Sequence, residues 1–173
     1  GEPSPGEEPP PPLFEDDPGF DESPSFGGGE GPEAAPAPMG SPSDDTGVPV
    51  EGATLYESAL GQFHRGEYDI AGEAFSLYIA KYPDTMFEAP SIYYLGECKF
   101  KLRKYTAAVE QFRRYLMKYP DGNEAPMALL RLGMCFTRLE DTASARKAFK
   151  QVLRRFPQTP AAEAAKRELE NML

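Results

Sequence analysis

Tyr105-Thr106-Ala107-Ala108-Val109-Glu110-Gln111-Phe112-Arg113-Arg114-Tyr115-Leu116-Met117-Lys118-Tyr119-Pro120 decides the architecture. Tyr105, Ala108, Phe112, Tyr115 and Tyr119 fall at spacings of three, four, three and four. That spacing is one stripe of a helix. The stripe stands 37 residues earlier as Tyr68, Ala71, Phe75, Tyr78, Tyr82 and Pro83, and 37 residues later as Thr142, Ala145, Phe149, Val152, Phe156 and Pro157. A fixed period of this length specifies a stack of like units and points to holding other molecules rather than to chemistry.

Each unit opens with another amphipathic helix. Its stripe is Ile92, Leu95, Gly96 and Phe100 in unit two, and Leu129, Leu132, Gly133 and Phe136 in unit three. Ala59 holds the place of Gly96 and Gly133 in unit one, and a small residue there lets neighbouring helices approach closely. Thr54 with Glu57 reads as a capping box opening the first helix. Pro83, Pro120 and Pro157 close the second helices, because proline cannot continue a helix. Thr159-Pro160 sets a cap residue before a first-turn proline and opens a last helix over 160–172, which covers the final apolar face. The expected fold is all-α: a solenoid of three helix pairs over about 53–85, 88–122 and 125–158, plus that cap.

Residues 1–52 differ in kind. They hold 13 Pro, 10 Gly and 13 acidic residues with no Lys or Arg. Such a stretch cannot bury enough apolar surface to offset its ordering entropy, so it reads as a disordered tail. It carries −13 of a total charge of −10, which leaves +3 on residues 53–173. The acidity belongs to the tail, and nucleic acid is not an expected partner of so weakly basic a domain. No apolar run approaches a membrane span. No signal peptide is visible at Gly1-Glu2-Pro3, which reads as a trimmed start, so targeting information is expected upstream.

The small-x-x-x-aromatic pattern, with proline eight residues on, resembles the tetratricopeptide repeat. The period is longer than that family's usual one, and the extra residues sit in the linkers Pro83–Pro90 and Pro120–Pro126. Their Pro-Asp to Ala-Pro ending, with Tyr93-Tyr94-Leu95-Gly96-Glu97, is similar to the C-terminal domain of the CpoB (YbgF) family of the Tol-Pal system. That resemblance implies a periplasmic, non-catalytic adaptor in envelope constriction and cell division, with TolA or a peptidoglycan synthase as partner. That family's usual N-terminal coiled coil has no counterpart in this chain. Other envelope scaffolds, of the outer-membrane assembly lipoprotein or pilus pilotin type, and a cytosolic signalling or motility adaptor, are the alternatives.

Little supports an enzyme. His64 has no base or metal ligand at a telling spacing and suits a helix end; Gly27-Gly28-Gly29 precedes no helix. No cofactor or metal is expected. Cys98 and Cys135 occupy equivalent places on successive units, too far apart for a disulfide, and read as small core residues.

In the tetratricopeptide architecture the first helices line a concave groove. The resemblance therefore places Tyr56, Leu60, Phe63 and His64 there from unit one, and Tyr93, Tyr94, Glu97, Phe100 and Lys101 from unit two. Unit three gives Leu130, Arg131, Met134, Thr137 and Arg138. Phe63 and Phe100 are as readily core residues, whereas Tyr56, Tyr93 and Tyr94 join apolar area to a polar tip and suit partner contact. Arg131, Arg138 and Lys101 suit a carboxylate. The second helices carry many bases, among them Arg114, Lys118, Arg146, Lys150 and Arg155, either as a solvated face or as a surface for an acidic partner. In the tail, Phe14, Phe20 and Phe26 stand among acids, either as plain linker or as a docking motif.

Overall fold

A computed structural model describes residues 48–172. Seven helices follow one another there: α1 Val50–His64, α2 Tyr68–Lys81, α3 Glu88–Lys101, α4 Tyr105–Lys118, α5 Ala125–Arg138, α6 Thr142–Arg155 and α7 Pro160–Glu170. Each helix packs on its neighbours in sequence, and α7 closes over both α5 and α6. The expected all-α solenoid of three helix pairs and a capping helix is the fold found.

The core is built from the repeated stripe. Phe75, Phe112 and Phe149 are fully buried, as are Ala71, Ala108 and Ala145. The small residues of the first helices serve the aromatic rings of the second. A Cβ on Gly96 would stand 2.7 Å from the Phe112 ring, and one on Gly133 would stand 2.5 Å from Phe149. Tyr78, Tyr115 and Val152 complete the same layer.

Two readings of helix ends need revision. Thr54 does not cap α1. The helix begins at Val50 with Pro49 at its N-cap, and the Thr54 hydroxyl donates to the Val50 carbonyl at 2.9 Å. Val48 is buried beside Gly52, so folded structure reaches into the acidic stretch. The cap at α7 is as read: Thr159 Oγ1 accepts from Ala162 N at 3.3 Å, with Pro160 in the first turn. Asp141 caps α6 by accepting from Ser144 N at 3.0 Å, which holds its carboxyl below the usual range.

The turn from first to second helix repeats as well. Gly66, Arg103 and Glu140 are 37 residues apart, and all three take positive φ, at 83°, 58° and 62°. Between units, charged side chains act as struts. Lys118 Nζ donates to Asp84 at 2.9 Å and to Glu88 at 2.8 Å, and Arg155 donates to the Pro120 carbonyl at 2.9 Å and to Asp121 at 3.1 Å. Arg146 reaches the Met172 carbonyl. Three of the bases read as a solvated or partner-facing surface are thus committed to joining the fold together.

Candidate functional site

The first helices α1, α3 and α5 present one face of the stack, and long side chains bridge them. Phe63 of α1 meets Tyr94 of α3 edge-on at 5.2 Å, and Tyr94 stacks on Phe75 at 5.6 Å. Between α3 and α5, Arg131 Nε donates to Glu97 Oε1 at 2.6 Å. The same guanidinium lies 5.3 Å from the Phe100 ring centroid and beside the Tyr93 hydroxyl. Its Nη1 faces Met134 Sδ at 3.4 Å, a weak acceptor. Burial works against the Arg131 charge, but Glu97 more than offsets it and raises the pKa.

The residues expected in the groove therefore divide, and Leu130 lies in the core. Tyr56 and Tyr93 are buried, and burial pushes both hydroxyls up. They are foremost core residues: Tyr56 stacks on Phe87 at 4.5 Å, and Tyr93 packs on Phe112 and Tyr115. Phe63, Tyr94, Phe100, Arg131 and Met134 are half-buried, so it is Phe63 and Phe100, read as equally suited to the core, that keep surface. Glu97 is buried under Arg131. Lys101 and Arg138 are exposed in the last turns of α3 and α5, in the register that His64 holds in α1. Phe14, Phe20 and Phe26 lie outside the described residues.

Two participants escaped the sequence reading. Phe87 was assigned to the linker, yet its ring covers Tyr56. Glu124 accepts from the Tyr115 hydroxyl at 2.8 Å, and its charge helps raise Tyr56 and Tyr94 after burial itself. Both residues stand at the N-cap of a first helix, 37 residues apart, which is the signal that would have paired them.

Cys98 and Cys135 are free and buried, and burial pushes both thiols up to about 12. Among the described residues no cluster of His, Cys, Asp and Glu fits a metal ion, and no helix is long and apolar enough to cross a membrane.

A stack of helix pairs with this small-residue and aromatic register defines a tetratricopeptide repeat domain. The chain belongs to that family: the tetratricopeptide repeat model matches residues 53–85, 91–122 and 127–159. No curated protein matches it. Among solved structures, it is similar to PcrH in complex with the chaperone binding region of PopB, at 21% identity and a TM-score of 0.59, over 73% of this chain and 98% of that one. It is similar to the Yersinia enterocolitica type III secretion chaperone SycD in complex with a peptide of the translocator YopD, at 16% identity and a TM-score of 0.61, over 73% of this chain and 92% of that one. The second such domain of human RPAP3, in complex with an HSP70 peptide, is similar at 21% identity and a TM-score of 0.58, over 70% of this chain and 96% of that one. At these identities the likeness is one of fold.

Proposed function

We propose that the domain is a non-catalytic scaffold that takes a peptide segment of a partner protein against the face of α1, α3 and α5. One observation carries this reading. Arg131 is held by Glu97 and Phe100 beside the Tyr93 hydroxyl, with Nη1 against the Met134 thioether, so a guanidinium is fixed in place between α3 and α5. Beside it stand the half-buried rings of Phe63, Tyr94 and Phe100. Aromatic surface with a fixed arginine is the composition of binding hot spots. PcrH, SycD and the RPAP3 domain, each solved with a peptide, support the same use of the fold. The test is binding of a partner-derived peptide to wild type and to Tyr94→Ala and Lys101→Ala, neither of which is a fully buried side chain. Loss of affinity in variants that remain folded supports the reading; affinity unaltered in both variants defeats it.

The narrower reading is a periplasmic adaptor of the Tol-Pal system. The extended Pro-Asp to Ala-Pro linkers support it. Retention of TolA or a bifunctional penicillin-binding protein on the immobilised domain is the measurement, and no retention of either removes this reading while leaving the peptide scaffold standing.

A further inference from the structure

Units two and three each brace the linker before them with the last base of their second helix. Lys118 reaches Asp84, 34 residues back, and Arg155 reaches Asp121, also 34 residues back, together with the Pro120 carbonyl. Lys81 holds the same place in α2, and 34 residues before it stands Gly47, directly after Asp44-Asp45-Thr46. Val48 is buried beside Gly52, and the Tyr82 ring next to Lys81 borders the same glycine, so the chain enters the described fold at this end of α2. Lys81 makes no ion pair among the described residues, and Glu51, in the register of Glu88, stays exposed. From Lys81 an open stripe runs back along α2. Leu77 is 49% exposed and Ile70 52%, on one side of the helix at i and i+7. Their counterparts Arg114 and Ala107 of α4, and Gln151 and Ser144 of α6, are small or polar, so α2 alone carries large aliphatic side chains in this register.

We propose that residues 38–47 form a strap along this stripe, with Asp44 and Asp45 on Lys81 and Met39 against Leu77 and Ile70. The repeat register selects this occupant, because it sets the segment where the other two linkers lie relative to their second helices. Charge follows the same register. The segment is acidic only at Asp44 and Asp45, beside Lys81, and residues 38–43 are uncharged where α2 carries Glu73 next to the stripe. Glu67 and Asp69, farther along, are already paired with Arg65 and Lys104. Reach is sufficient: the six residues from Asp45 back to Met39 span up to about 20 Å when extended, and Lys81 to Ile70 is about 16 Å of helix. Met39 is the one large apolar side chain between Phe26 and Val48. Tethering holds the segment at a local concentration of the order of millimolar, which lets a contact of a few side chains keep it in place.

The full chain carrying Ser41→Cys and a second cysteine on α2 tests this through the rate of the intramolecular disulfide. In the strap, residue 41 falls near the level of Ala74. Closure with Ala74→Cys is therefore expected to be several-fold faster than with Ser76→Cys on another side of α2, although Ser76 is the more exposed. Cys98 and Cys135 are buried and take no part. Lys81→Glu, and Ile70→Ser with Leu77→Ser, are each expected to bring the two rates together while the domain stays folded. Equal rates at residues 74 and 76 in the otherwise unaltered chain would overturn the proposal. So would an advantage of residue 74 that survives either set of substitutions, or a disulfide-linked dimer formed in place of the intramolecular product.

Discussion

The ring of Phe112 lies so close to the backbone of Gly96 that a Cβ there would stand 2.7 Å from the ring edge. Phe112 is fully buried and has no room to retreat. Gly96→Ala is therefore expected to lower stability by about 1–3 kcal/mol through overpacking. Gly133→Ala, against Phe149, should behave alike. Ala59 shows that unit one has settled around a methyl group at this register, so the penalty belongs to the two glycine-bearing units. Urea denaturation of the single variants measures it.

Left-handed backbone at Arg103 and Glu140 offers the opposite change. Unit one places Gly66 at this turn, where positive φ carries no steric penalty. Arg103→Gly and Glu140→Gly should each gain about 0.5–1 kcal/mol, the strain relieved less the added unfolded-state entropy. Gly66→Ala should lose stability although no atom lies within 4 Å of the added Cβ, because φ there is +83°. Equal or lower melting temperatures for both glycine variants would contradict this account.

Glu88 sets an acid limit. Burial alone would raise its pKa, but bonds from Lys118, the Asp84 amide and Tyr119 hold the carboxyl below its usual range. A depressed folded pKa contributes stability that is complete above the unfolded value, about 4.3, and is lost as pH falls through the folded one. Glu88→Gln should flatten the acid limb of the stability profile, and Lys118→Met should lower the melting point at pH 7 by leaving the carboxylate unpaired. Denaturation curves at neutral pH and near pH 3 check both.

Glu97 and Arg131 separate stability from binding. Arg131→Met alone strands a buried carboxylate and should cost about 2–4 kcal/mol. Leu60 and Met134 hold the register of Glu97 in the other units, so Glu97→Leu with Arg131→Met should recover most of that loss. A double-mutant cycle reads the coupling. The recovered variant should fold yet bind the partner peptide poorly.

Both thiols should resist a thiol reagent in the native state and react together on unfolding, since Cys98 and Cys135 are buried and raised to about 12. Rapid native labelling of either would show that the core opens far more readily than its packing implies.

The sequence by itself determined the helix pairs, their order, the Gly96 and Gly133 notches and the capping helix. Each is a local, periodic consequence of which residues must leave water. The resemblance to the tetratricopeptide repeat also pointed to α1, α3 and α5 as the face to watch. Only the tertiary structure decided what those side chains do. Tyr56 and Tyr93 went into the core because Phe87 and Phe112 cover them, while Phe63 and Phe100 kept their surface. Arg131 was anchored by Glu97, and Lys118 and Arg155 became struts. The charged pairs Lys118–Glu88, Arg131–Glu97 and Arg155–Asp121 join residues 30 or more apart in sequence. The angle between stacked units sets such distances, and a stripe along one helix does not encode it.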